Sequence, residues 1–388
     1  MKRGIYIAPS EIINSVNYVH KLIDNEFKIF LLRTGFNPLY FDPIISQAIE
    51  IVKKSDAEIW LLIGTWWGDN FSPDSDIMKL PKDLEYLNAK GFFGNYSAHE
   101  SQWKMLAPGN YSDTLITDNI NEKINLWNPH AICLTHARFR HPAYIQGLFE
   151  ITETWINSIS GTSWKKIIHK LKNLSSHELL YLSKNNNLIT FFDLLHDSDI
   201  FSQWFLFRNN QITLSLKKIL KGIKEVNQTL LVGTNAIGPH TSNLSGQNYQ
   251  ELIKIFDFIQ PLFGYIEWHI FQCICAWGNF LQATTQLSNE ICYQIAWQLF
   301  EFAPDLTSNT PLFPLNENLM QSEGDEEIIK SLVHQSLNHP QIREIQSNLI
   351  PVIRGSEWSK DTVISIEKGL KKAGHKIIFF QGTQSILN

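Results

Sequence analysis

"AICLTHARFRHP", residues 131–142, decides how this chain folds. Ala131, Ile132, Cys133 and Leu134 are apolar without alternation, so both faces of the strand they form need cover. Then His136, Arg138, Arg140 and His141 follow closely, and Pro142 closes the stretch. A strand covered on both faces belongs to a parallel sheet layered with helices. One that ends in polar, titratable groups points to the face where such folds keep their sites.

The same grammar repeats along the chain. "GIYIA" (4–8), "FKIFLLR" (27–33), "EIWLLIG" (58–64), "AICLTH" (131–136), "TLLVGTN" (229–235), "DFIQPLFGYIE" (257–267), "NLIPVIRG" (348–355) and "KIIFFQG" (376–382) are short apolar runs. Amphipathic helical patterns separate nearly all of them. Helix signals include Ser10 as a cap for the pattern over 9–25, Asp42 before Pro43, Asp118 within 116–129, and Gly374 as a stop for the pattern over 359–374. Eight such units predict an α/β fold of the (β/α)8 (TIM) barrel type spanning 1–388 as a single domain. Two segments exceed the minimal pattern: a Gly-, Ser-, Asn- and aromatic-rich loop insertion over 65–113, and a helical insertion over 155–205. Both follow strand ends, so both are expected to wall a cleft.

The chain has 388 residues, 44% hydrophobic and 18% charged, with a formal charge of -5, which leaves no global attraction to nucleic acid or to an anionic membrane. "GIYIAPSE" carries neither G-x-G-x-x-G nor a P-loop, and no cofactor is expected. Four irregularly spaced cysteines make no disulfide framework, and the C-x-C of Cys273 and Cys275 lacks the second pair of a zinc site. Residues 1–11 lack a signal-peptide run and no stretch suits a membrane span, so a cytoplasmic location is expected. Nothing here sets an oligomeric state. With 12 Trp and 24 Phe, the aromatics serve either a core or the walls of a sugar cleft.

In a barrel, catalytic groups gather at the C-terminal strand ends. Those ends carry Arg33; Trp66, Trp67 and Asp69; His136, Arg138, Arg140 and His141; Asn235 and His240; Tyr265, Glu267, Trp268 and His269; Arg354, Glu357 and Trp358; and Gln381. Glu267 stands out, because a carboxylate near the end of an apolar run, between Tyr265 and Trp268, needs a role or a partner. Beside aromatic surface its pKa would rise, which suits a general acid. Glu267 and Glu357 are the catalytic candidates; His136, Arg138, Trp66, Trp67, Asn235, Tyr265, His269 and Arg354 are the substrate-binding candidates.

Three stretches resemble bacterial glycoside-hydrolase-like TIM-barrel proteins. "NEKINLWNPHAICLTHARFRHP" (121–142) resembles their helix and strand-four signature. "WFLFRNNQITLSLKKILKGIKEVNQTLLVGTNAIGP" (204–239) is similar to their Trp–Arg helix leading into strand five. "SGQNYQELIKIFDFIQPLFGY" (245–265) is similar to their unit around strand six. The resemblance, carried by residues 115–270, implies a barrel acting on carbohydrate. This chain departs from it in having Thr135 where those proteins end strand four in Asp, and Asn248 where they carry another Asp.

Glycoside hydrolysis needs two facing carboxyl groups, about 5–10 Å apart. The candidates are Glu267 with Glu357, Glu100 or Glu150, flanked by Trp66, Trp67, Trp268 and Trp358 as stacking walls. The leading expectation is thus a hydrolase with a small-molecule or oligosaccharide ligand. The second is a barrel that binds a sugar or another polar ligand without cleaving it, as Thr135 suggests. The third is a metal-dependent barrel using His99, His136, His141, His240 and His269 with Glu267, although no H-x-E or E-x-x-H spacing marks such a site and no metal is expected.

Overall fold

A computed structural model describes residues 1–35, 37, 39, 43–68, 71, 76–82, 84–85, 103–152, 155, 161–301 and 326–387. Eight strands run parallel: β1 Lys2–Ile7, β2 Phe27–Arg33, β3 Glu58–Gly64, β4 Ala131–Thr135, β5 Leu231–Ala236, β6 Phe258–Pro261, β7 Val352–Arg354 and β8 Ile377–Gln381. Neighbours follow chain order from β1 to β6, while β1 also pairs with β8 and β8 with β7. Between β6 and β7 the sheet closes through the bridges Ile259–Leu349 and Leu262–Val352, with the Ile350 amide donating to the Ile259 carbonyl at 2.8 Å. The fold is a (β/α)8 barrel, nearly closed, as the eight non-alternating strands require.

Strand parity divides the core in two. One set of alternate residues, including Tyr6, Ile29, Leu31, Trp60, Leu62, Cys133, Phe258, Val352 and Phe379, packs inside the barrel. The other, including Ile5, Phe30, Leu61, Ile132, Val232, Ile259 and Phe380, packs outward against the helices. Inside, the Trp60 ring lies 5.0 Å from Phe258 and 5.3 Å from Phe379, centroid to centroid. Glycines make room for these rings. A Cβ on Gly233 would sit 2.1 Å from the Phe258 ring, and one on Gly4 would sit 2.4 Å from the Phe379 ring.

Some local expectations are corrected. The pattern over 9–25 breaks into two helices, Pro9–Asn14 and Val16–Asp24, and Ser15, not Ser10, caps the second by accepting from the Tyr18 amide at 3.2 Å. Asp118 lies inside a longer helix, Asn110–Trp127. Gly374 does follow the helix Lys360–Lys372, at φ +91°. The strand expected over 257–267 stops at Pro261. A 3-10 turn, Phe263–Tyr265, follows, and then the helix Ile266–Thr284. Short apolar runs do not distinguish a buried strand from a buried helix; length does, and here the apolar stretch continues past residue 280.

Between β3 and β4, Trp67–Gly68 pairs antiparallel with Lys104–Met105. Between β4 and β5 lie the helices Gly161–Asn173, Ser176–Asn185 and Leu188–His196, then Ile200–Val226, which runs past the insertion expected at 155–205 and leads into β5. These helices build an aromatic core. The Trp164 ring sits 4.8 Å from Phe149, 5.6 Å from Phe192 and 5.5 Å from Phe280. Among the described residues, no helix is long and apolar enough to cross a membrane.

Candidate functional site

A cavity of about 550 Å³ opens at the C-terminal mouth of the barrel. Its floor follows from strand parity. Each strand contributes an inward-pointing residue: Tyr6, Arg33, Leu62, Thr135, Asn235, Leu262 just beyond β6, Arg354 and Gln381. The barrel is therefore apolar where its strands begin and polar where they end.

At the centre, side chains of four strands meet in one hydrogen-bonded cluster. Gln260 Oε1 accepts from the Tyr6 hydroxyl at 2.5 Å, from Asn235 Nδ2 at 3.0 Å and from the Cys133 thiol at 3.1 Å. Asn235 Nδ2 also donates to the Tyr6 hydroxyl at 2.7 Å. Burial pushes the Tyr6 phenol and the Cys133 thiol well above their ordinary pKa values, so both stay protonated and serve as donors. The cluster fixes Asn235 and Tyr6 at the cavity floor.

The end of β4 supplies the wall. His136, at φ 53°, turns the chain off the strand; its ring packs against both Trp67 and Trp103, with centroids 5.4 and 5.7 Å away, and its Nδ1 is 3.3 Å from Thr135 Oγ1. Arg138 is buried yet reaches the cavity; it donates to the Phe139 carbonyl at 2.8 Å and lies 5.6 Å over Trp67. Arg140 turns away from the cavity into a buried pair with Glu150, its Nε reaching both carboxylate oxygens at 2.9 and 2.8 Å. Glu150 is thus committed to structure and is removed from the candidate acids. Arg140 also donates to the Trp103 carbonyl at 2.8 Å, which positions a half-buried indole on the cavity.

The remaining candidates divide. Tyr265, His269, Arg354 and Glu357 line the cavity together with His136, Arg138 and Asn235. Arg354 lies 5.0 Å over the Tyr265 ring and pairs with Glu357, whose side chain is 68% exposed and whose backbone is left-handed at φ 70°. Trp66 and Trp67 are both fully buried and neither lines this cavity; Trp67 donates its indole N–H to the Arg138 carbonyl at 3.1 Å and underlies two arginines. Trp358 is buried as well. Glu267 is corrected in its element, since it occupies the first turn of the helix Ile266–Thr284, not a strand end. The side chains of Glu267 and Trp268, like Asp69, His99 and Glu100, lie outside the described residues. Among the described residues of 155–205, none lines this cavity.

Sequence reading missed Tyr6, Glu11, Tyr18 and Trp103 on the cavity. Tyr6 was accessible through strand parity. Glu11 looks like an ordinary first-turn helix residue, and it does accept from the Ala8 amide at 2.7 Å, but it also lies 3.8 Å from Arg33 at the cavity rim. The cavity's described carboxylates, Glu11 and Glu357, each face an arginine. Among the described residues, His136, His141, His240 and His269 do not gather into one metal site. His141 stacks on His269 at 4.6 Å, with burial and Arg138 holding its pKa well below the ordinary value, while His240 lies elsewhere against His339.

No family model and no curated protein sequence matches the chain. Solved structures do. The PgaB (BpsB) glycoside hydrolase domain from Bordetella bronchiseptica superposes with a TM-score of 0.55 at 9% identity, covering 100% of this chain and 96% of that one. The catalytic domain of beta-amylase from Paenibacillus polymyxa gives a TM-score of 0.49 at 12% identity, covering 99% and 93%. The barrel is glycoside-hydrolase-like in fold.

Proposed function

We propose that this barrel acts on a carbohydrate or glycoconjugate held in the cavity, with Glu267 as acid/base and Glu357 as the second carboxylate. The observation that carries the reading is the composition of the cavity. Hydroxyl, amide and guanidinium groups of Tyr6, Thr135, Asn235, Arg138 and Arg354 face the same space as the rings of Trp103 and Tyr265. Sugar rings present hydroxyls at their edges and C–H surfaces on their faces, and such a mixed lining suits both. The fold likeness to a glycoside hydrolase domain agrees with this reading. We read the chain as one barrel domain, with the 65–113 insertion walling the cleft through Trp103.

A second reading, binding without cleavage, draws on one observation: Thr135 lines the cavity where the resembling proteins carry Asp. One experiment separates the two. The protein is presented with a panel of oligosaccharides, binding is followed by calorimetry and cleavage by chromatography. Cleavage that Glu267→Gln abolishes without loss of binding supports the hydrolase. Binding without product, weakened by Trp103→Ala, supports the second reading. Absence of binding across neutral, acidic and amino sugars overturns both.

A further inference from the structure

We propose that His240, Glu301 and His339 bind a divalent transition-metal ion of the zinc type, at a site apart from the barrel cavity. The three residues come from separate parts of the chain. His240 lies just after β5, Glu301 follows the helix Asn289–Leu299, and His339 caps the short helix Pro340–Arg343. One nitrogen from each imidazole and one carboxylate oxygen lie within 4.8 Å of one another, with His339 Nε2 3.8 Å from Glu301 Oε2. In a tetrahedral site with bonds of about 2.1 Å, donor atoms lie roughly 3.4 Å apart. The widest pair therefore needs to close by only about 1.4 Å.

The donor chemistry fits such an ion. Two imidazoles and a carboxylate are a borderline N2O set that zinc accepts, with a further position left for water. The His240 and His339 rings meet edge to face, with centroids 4.5 Å apart. Both ring nitrogens of His240 are buried. Access is provided by a surface cleft of about 480 Å³ that these three residues line with His334.

Binding has a stated consequence at His339. Its Nδ1 accepts from the Gln341 amide at 3.2 Å, which places the ring proton on Nε2, facing Glu301. An ion at Nε2 moves that proton to Nδ1 and breaks the hydrogen bond to Gln341, with no net proton released. The Glu301 carboxylate exchanges a histidine N–H for the ion.

The test uses the full chain, stripped with chelator and desalted, then titrated with Zn(II) by calorimetry and with Co(II) by visible absorption. We expect one ion per chain, Co(II) bands that Zn(II) removes, and a melting temperature raised by Zn(II). Glu301→Gln, a surface change that leaves the fold intact, should weaken binding by about 10-fold or more, and His339→Ala by about 100-fold. Melting of each variant without metal checks its folding. No heat and no Co(II) bands at about 100 µM ion overturns the proposal. So does affinity that is unchanged in both folded variants.

Discussion

Replacing Glu150 with Gln tests how the cavity wall is held. Arg140 and Glu150 are 5% and 6% exposed, and the Arg140 Nε reaches both carboxylate oxygens within 2.9 Å. Removing one member of a buried pair leaves the other charge uncompensated and costs about 3–5 kcal/mol. The isosteric amide keeps one acceptor oxygen, so we expect the lower end, about 3 kcal/mol. In a chain of this length that corresponds to a fall in Tm of about 6 °C, at roughly 2 °C per kcal/mol. Urea unfolding should show the loss as a lower midpoint with an unchanged slope. Because Arg140 also holds the Trp103 carbonyl, the variant should bind saccharide more weakly even well below its melting temperature. Changing both residues to apolar ones of similar size, as in Arg140→Met with Glu150→Leu, should recover most of the stability. A loss below about 1 kcal/mol for Glu150→Gln would refute the reasoning: the pair would then be solvated, and Glu150 would return to the list of candidate acids.

Gly233→Ala should destabilise by about 1–3 kcal/mol, because its Cβ enters the Phe258 ring inside the barrel, and Phe258→Leu in the same chain should relieve most of that loss; additivity of the two changes in denaturation would argue against the clash. Trp67→Ala should cost about 3–5 kcal/mol of stability as a core truncation, whereas Trp103→Ala should chiefly weaken saccharide binding; the reverse pattern would undo the assignment of the two rings. His141 is held neutral in the fold but protonates near pH 6.5 once unfolded, so the unfolded state binds more protons at acid pH. Its contribution is complete above about pH 6.5 and lessens as the pH falls below that, by up to roughly 1.4 kcal/mol per pH unit. A His141→Gln variant should flatten the fall in stability from pH 7 to 5, measured by urea unfolding. Lys123 is buried and its pKa is lowered to about 8, so Lys123→Met should stabilise the protein by about 1–3 kcal/mol at pH 7, and the gain should shrink as the pH passes from 8 to 10.

The barrel was legible because strand burial is a local property. Runs such as 29–32 and 59–63 are apolar at every position, which suits a strand covered on both faces, and eight short runs with intervening helices leave few topologies. The polar strand ends were legible for the same reason: Arg33, Asn235, Arg354 and Gln381 follow apolar residues at the inward parity, and all four line the cavity. Chain order alone also led to His136 and Arg138 together. What it did not separate were residues adjacent in sequence but divided by packing. Trp66 and Trp67 look like an aromatic wall, yet both sink into the core, while Trp103, nearly forty residues on, supplies the exposed face. Arg138 reaches the cavity, whereas Arg140 two residues on turns to Glu150, a partner that the sequence alone does not name. Whether an aromatic or charged side chain is core or site depends on which distant element lies against it. That is a long-range property with no periodic trace in the sequence, and the meeting of His240, Glu301 and His339 is decided in the same way, by closure of the tertiary fold.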